Sequence, residues 1–123
     1  MLGYVTLGTN DFEKSKTFYD TVLAGMGMAR TTTFETMQFY GTKERPLAVA
    51  VCLPYDDSRP ASAGNGTMVA LEASSREMVD AVYQIALAAG APDEGEPGLR
   101  DESFYGAYFR DPDGNKICVY RFI

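Results

Sequence analysis

Cysteines, tyrosines and carboxylates must carry any chemistry in this 123-residue chain, because it contains no histidine. Cys118 lies in a β-prone run, Lys116-Ile117-Cys118-Val119-Tyr120, without a paired base nearby in sequence. A thiol left near its ordinary pKa is a weak nucleophile. Asp111 and Asp113 invite a calcium reading, but Gly114 comes two residues too early for an EF-hand loop. The run Asp111-Pro112-Asp113-Gly114-Asn115 is instead a turn, flanked by Tyr105–Arg110 and Lys116–Tyr120 in a hairpin pattern. General acid–base work falls to a carboxylate or a tyrosine, and Glu72, at the end of a strand-like run, is the candidate at a cavity rim. Its plain alternative is a solvated strand end. Five acids (Asp93, Glu94, Glu96, Asp101 and Glu102) surround a lone Arg100 in residues 92–104, where Gly and Pro oppose regular structure. As a rim over an aromatic pocket this stretch favours a cationic aromatic ligand; as an ordinary loop it is simply solvated.

The elements that position these groups follow from periodicity. Residues 3–8 alternate as a strand. Asn10 or Asp11 is suited to cap the helix that follows, and Phe12, Phe18, Tyr19, Val22, Leu23 and Met26 approximate helical spacing up to Gly25 and Gly27. Three β-prone stretches come next, at about 28–33, 35–41 and 47–53, and then a polar loop over 54–65. The pattern restarts with Thr67–Glu72, a Ser74 or Ser75 cap, and a helix that stops at Gly90. Tyr4–Met26 overlies Met68–Gly90 without a gap, matching Val5 to Val69, Leu7 to Leu71, Glu13 to Glu77, Tyr19 to Tyr83, Leu23 to Leu87 and Ala24 to Ala88. Two βαβββ units are expected, module 1 at about 1–53 and module 2 at about 66–123, forming a single α+β domain over 1–123. A weaker alignment lays Leu47-Ala48-Val49 over Ile117-Cys118-Val119.

Bulk composition narrows the partners. The net charge of −6 and eleven scattered basic residues exclude a nucleic-acid surface. No apolar run approaches the ~18 residues of a membrane span, and the first residues lack a signal-peptide pattern. With only Cys52 and Cys118, a disulfide framework is not expected, and a reduced cytoplasmic protein is.

Three motifs in order carry a resemblance to the glyoxalase/bleomycin-resistance/dioxygenase family, the vicinal oxygen chelate superfamily. They are Tyr4–Asp11 followed by Phe18-Tyr19, then Gly66–Leu71 before a helix, then Asp111–Ile117. The resemblance implies two modules curled into a mixed sheet around a cavity, often completed by homodimerisation. It also implies metal positions on the first and last strand of each module. Carried onto this chain, these are Tyr4, Met68 and Cys118, with a fourth near Ala48. None is the His or Glu of metal-dependent members, so no divalent metal or other cofactor is expected. If Val5, Leu7, Val69 and Leu71 pack under the helices, then Tyr4, Thr6, Met68 and Ala70 face the cavity, joined by Cys118 and Tyr120, with Glu72 and Arg100 at its rim. Such a cavity suits a flat or apolar small molecule, although Tyr4, Met68 and Cys118 serve equally well as core filler. The leading expectation is a metal-free small-molecule binder. The alternatives are a glyoxalase-like lyase or dioxygenase-related enzyme and a structural dimer with a filled cavity.

Overall fold

A computed structural model describes residues 1–123. The first module runs β1 (Val5–Gly8), α1 (Phe12–Ala24), β2 (Ala29–Thr33), β3 (Met37–Gly41) and β4 (Val49–Cys52). The second repeats the order with β5 (Met68–Glu72), α2 (Arg76–Ala88), β6 (Asp93–Leu99), β7 (Phe104–Arg110) and β8 (Lys116–Phe122). Each module forms a four-stranded mixed sheet, ordered β1-β4-β3-β2 and β5-β8-β7-β6. The first and last strands of each module pair in parallel, and the other pairs are antiparallel. This is the expected tandem βαβββ architecture.

Local chemistry accounts for both helices. Asp11 caps α1 by accepting from the Lys14 amide, and Ser75 caps α2 by accepting from the Met78 amide. Glu13 and Glu77 add negative charge to the first turns, where the helix dipole favours it. Gly27 (φ +73°) and Gly90 (φ +94°) supply the left-handed residues that turn the chain back toward each sheet. Neither helix is long and apolar enough to cross a membrane.

The helices pack on each other and on their own sheets, so both modules contribute to one core. Leu7, Tyr19, Val22, Tyr40 and Val51 come from the first module, and Val79, Val82, Phe109, Ile117 and Val119 from the second. Polar stitches tie the modules at one end. Tyr19 donates its hydroxyl to Asp111 Oδ2 at 2.6 Å, the Asn10 amide donates to Asp113 Oδ1 at 2.8 Å, and the Asn115 side chain donates to the Gly8 carbonyl at 3.2 Å. Asn10 further exchanges two bonds with the Ala61 backbone, anchoring the inter-module loop.

Two expectations need correction. Residues 92–104 are not wholly irregular, because Asp93–Leu99 forms β6 along β7. This strand has the outer edge of its sheet, where Pro97 removes a donor that no central ladder needs, and its register shifts absorb the glycines. Its main-chain pairing, not apolar alternation, makes it a strand. The second correction concerns the module alignment. Val5 pairs with Val49 and Val69 with Ile117, so Thr6 lies beside Ala50 just as Ala70 lies beside Cys118. The counterpart of Cys118 is therefore Ala50, not Ala48. The connections from β3 to β4 and from β7 to β8 differ in length, which a single offset between the modules did not accommodate.

Candidate functional site

Strand alternation gives each sheet two faces. One face carries Val5, Leu7, Val69, Leu71, Ile117 and Val119 into the joint core, as expected. The other faces are turned away from that core, and they hold the expected site residues.

On the first sheet, Thr6, Ala50, Cys52 and Phe39 share the open face, being cross-strand neighbours on one parity. Tyr4 is 47% exposed and meets Phe39 edge-on at 5.0 Å between ring centroids. The loop after β4 borders an open cleft of about 1080 Å³ beside this face, lined by Thr6, Met37, Cys52, Tyr55 and Arg59 among others. Burial pushes the Cys52 thiol up, against a hydrogen bond with Thr6 that acts the other way.

Tyr4, Met68, Ala70 and Glu72 come together in a second place, a groove of about 510 Å³ where the free edges of β1 and β5 approach. Glu72 does reach this rim, but it faces Arg121 at 3.5 Å. Ala48 lines the same groove.

Cys118 and Tyr120 occupy the open face of the second sheet, next to Ala70 and Glu72 of the groove in the parallel pairing of β5 with β8. Cys118 is fully buried, and burial pushes its thiol up to about 11, although hydrogen bonding with Tyr108 and the charges of Arg100 and Lys116 pull the opposite way. Tyr120 stacks on Phe104 at 4.9 Å with an 11° interplanar angle, and Phe122 closes edge-on against Tyr120 at 5.3 Å. Arg100 and Lys116 both lie over the Tyr108 ring, at 5.2 Å and 5.3 Å from its centroid. Sequence reasoning missed Phe104, Tyr108 and Lys116, which extend this face. The signal was available: alternation along Phe104–Arg110 places residues 104, 106, 108 and 110 on the parity that faces Cys118 and Tyr120.

The acidic stretch is largely engaged in structure. Asp93 accepts from the Tyr83 hydroxyl at 2.9 Å, Glu94 pairs with Arg110 at 2.6 Å, and Asp101 caps the turn amides of Ser103 and Phe104.

The positions that the family resemblance assigns to a metal centre, with Ala50 in place of Ala48, are Tyr4, Ala50, Met68 and Cys118. They offer a phenol, a methyl group, a thioether and a thiol held protonated by burial. This donor set does not fit a catalytic divalent ion, which needs about three His, Asp, Glu or thiolate ligands and an open position.

A family model described as the Glyoxalase/Bleomycin resistance protein/Dioxygenase superfamily matches residues 1–119. Among solved structures, the chain is similar to a glyoxalase/bleomycin resistance protein from Albidiferax ferrireducens T118, with 37% identity, 100% of this chain and 99% of that chain covered, and a TM-score of 0.89. A lactoylglutathione lyase from Agrobacterium tumefaciens shares the fold at 20% identity, covering 98% of this chain and 92% of its own, with a TM-score of 0.73. So does a glyoxalase-related enzyme from Fulvimarina pelagi, at 22% identity and a TM-score of 0.77, covering 98% of this chain and 87% of its own. Comparison with curated proteins returned no match.

Proposed function

The chain belongs to the glyoxalase/bleomycin resistance protein/dioxygenase superfamily, and within it we propose a binder of small aromatic molecules that works without a metal ion and as a homodimer. The observation that carries this reading is the set Tyr4, Ala50, Met68 and Cys118 at the four metal positions, beside sheet faces rich in aromatic and sulfur side chains. Flat apolar ligands match such surfaces, and the few polar groups present (Thr6, Tyr108 and Tyr120) orient rather than react. The one thiol on the second face is raised far from the range of a nucleophile at neutral pH.

The position of the faces supports the dimer. One chain turns two open faces away from its core and leaves Tyr4, Phe34, Met68 and Phe122 exposed. A second copy related by a two-fold axis sets the first-sheet face of one subunit against the second-sheet face of the other, enclosing two equivalent sites.

The test is a thermal-shift screen of cationic, neutral and anionic aromatics, hemithioacetal-like adducts and divalent ions, with mass spectrometry of each ligand after incubation. A ligand present at ~100 times its dissociation constant adds about 2.7 kcal/mol, several degrees for a domain of this size. A shift with an aromatic recovered unchanged supports the binder. A shifted compound that is chemically altered makes the chain an enzyme. Stabilisation by Zn²⁺, Ni²⁺ or Mn²⁺ overturns the metal-free reading, and silence across the panel favours a filled structural dimer.

A further inference from the structure

The open face of the second sheet changes chemistry along its length. Four cross-strand pairs share it: Arg110 with Lys116, Tyr108 with Cys118, Gly106 with Tyr120, and Phe104 with Phe122. The far end is an aromatic platform. Gly106 is required there, because a β-carbon at that position would sit 2.7 Å from the Phe104 ring, which lies flat on Tyr120. The middle is neutral, with Tyr108 over the fully buried Cys118. The near end is cationic. Arg100 and Lys116 flank the Tyr108 ring, and neither belongs to any ion pair in the structure, whereas Arg110 is neutralised by Glu94. Lys116 and Arg110 also line a cavity of about 520 Å³ beneath Gly64–Thr67, so the cationic end is open to a ligand.

In a chain of net charge −6, two unpaired cations converging on one aromatic face are a local reversal of sign. Of the five acids in the neighbouring stretch, Glu94 is spent on Arg110, Asp93 and Asp101 are turned toward Tyr83 and turn amides, and none, Glu96 and Glu102 included, forms an ion pair with Arg100 or Lys116. From Lys116 to Tyr120 the strand spans about 13 Å, room for a fused bicyclic ring with an acid group at one end.

Building on the binder reading above, we infer that this face selects a flat aromatic carboxylate, with its ring on Phe104 and Tyr120 and its anionic group at Lys116 and Arg100. This replaces the cationic ligand suggested by the acid count of residues 92–104.

The experiment measures binding of three probes that share one ring by calorimetry on the intact chain: 2-naphthoate, 2-naphthamide and 2-naphthylmethylammonium. The carboxylate is expected to bind about tenfold or more tightly than either of the others, because charge-assisted hydrogen bonds form only with it. Lys116→Met abolishes that preference while leaving the circular dichroism and melting temperature of the free protein intact, and Lys116→Arg preserves it. Phe104→Ala weakens the carboxylate and the amide alike. Equal or tighter binding of the ammonium, an undiminished preference in Lys116→Met, or no binding of any of the three overturns the assignment. The two readings fail differently. If none of the naphthalene probes binds but another compound in the wider screen does, only the ligand class is lost; if nothing binds in either set, the binding function is lost with it.

Discussion

Tyr19 and Asp111 meet inside the joint core, and their contact makes stability depend on alkaline pH. Burial, then the adjacent Asp111 charge and hydrogen bond, raise the Tyr19 hydroxyl well above its ordinary pKa. Tyr40 moves the same way through burial and its bond to Asp20. In the unfolded chain both phenols ionise near pH ~10, while in the folded chain they stay protonated. The folded state then holds more protons than the unfolded one, so stability is fully present below pH ~10 and falls as pH rises beyond it. Urea titrations from neutral to strongly alkaline pH should show this decline, and Tyr19→Phe should flatten it. At neutral pH the same substitution should cost about 1.5–3 kcal/mol, the worth of a hydrogen bond to a charged partner. The two thiols should differ in a simpler way. Cys52 is partly accessible and Cys118 is not, so an aromatic disulfide reagent should modify Cys52 in the native protein and Cys118 only after unfolding. Modification of Cys118 at the native rate of Cys52 would contradict its burial.

At the level of elements, a glycine decides whether the first sheet can close. A β-carbon on Gly41 would overlap the carbonyls of Arg45 and Pro46, which are backbone atoms with nowhere to move. Gly41→Ala should therefore destabilise the chain by about 1–3 kcal/mol, read from the shift in urea midpoint at constant slope. The caps are weaker determinants: Ser75→Ala should cost about 1 kcal/mol through loss of the bond to the Met78 amide. What the sequence made legible at this scale was whatever has a local cause. Both helix starts, the Asp111–Asn115 turn and the inward parity of Val5, Leu7, Val69 and Leu71 depend on side chains within a few residues. Strand β6 was missed because its cause is a neighbour, β7, which supplies the hydrogen bonds that an Asp-Glu-Gly-Glu-Pro-Gly sequence does not advertise. The equivalence of Ala50 with Cys118 was missed for a related reason, since parallel pairing with β1 and β5 fixes it and two loops of unequal length hide it. Tyr4, Thr6, Met68, Ala70, Cys118 and Tyr120 were read as facing one cavity with Glu72 and Arg100 at its rim; of these, Tyr4, Met68, Ala70 and Glu72 line one groove. Thr6 stands on the first sheet beside Ala50, whereas Cys118 and Tyr120 stand on the second beside Ala70 and Glu72.

At the scale of the whole molecule, the modules share one core and cannot be treated as two domains. Tyr19 packs near Tyr40 of its own sheet, while Phe18 beside it reaches Phe109 of the other module at 6.4 Å. A fragment covering residues 66–123 alone would uncover Val82, Ile85 and Phe109, which meet Gly25 and Phe18 of the first module, and at that length its own core is marginal. The full chain should unfold in one cooperative transition with coincident far-ultraviolet and tyrosine-fluorescence midpoints, and the fragment should show no transition. Two separated transitions in the full chain would mean that the cores are independent. The stitching at Asp111 carries a consequence for time as well as for energy. Its carboxylate accepts from the backbone amides of Asp113 and Asn115 as well as from Tyr19 and the Asn115 side chain. A hairpin turn is ordinarily among the first parts of a protein to trade its amide protons with deuterated solvent. Here these two protons are released only when the modules part, so they should exchange as slowly as those at the centre of β8, and the tightest turn in the chain would be the last to open.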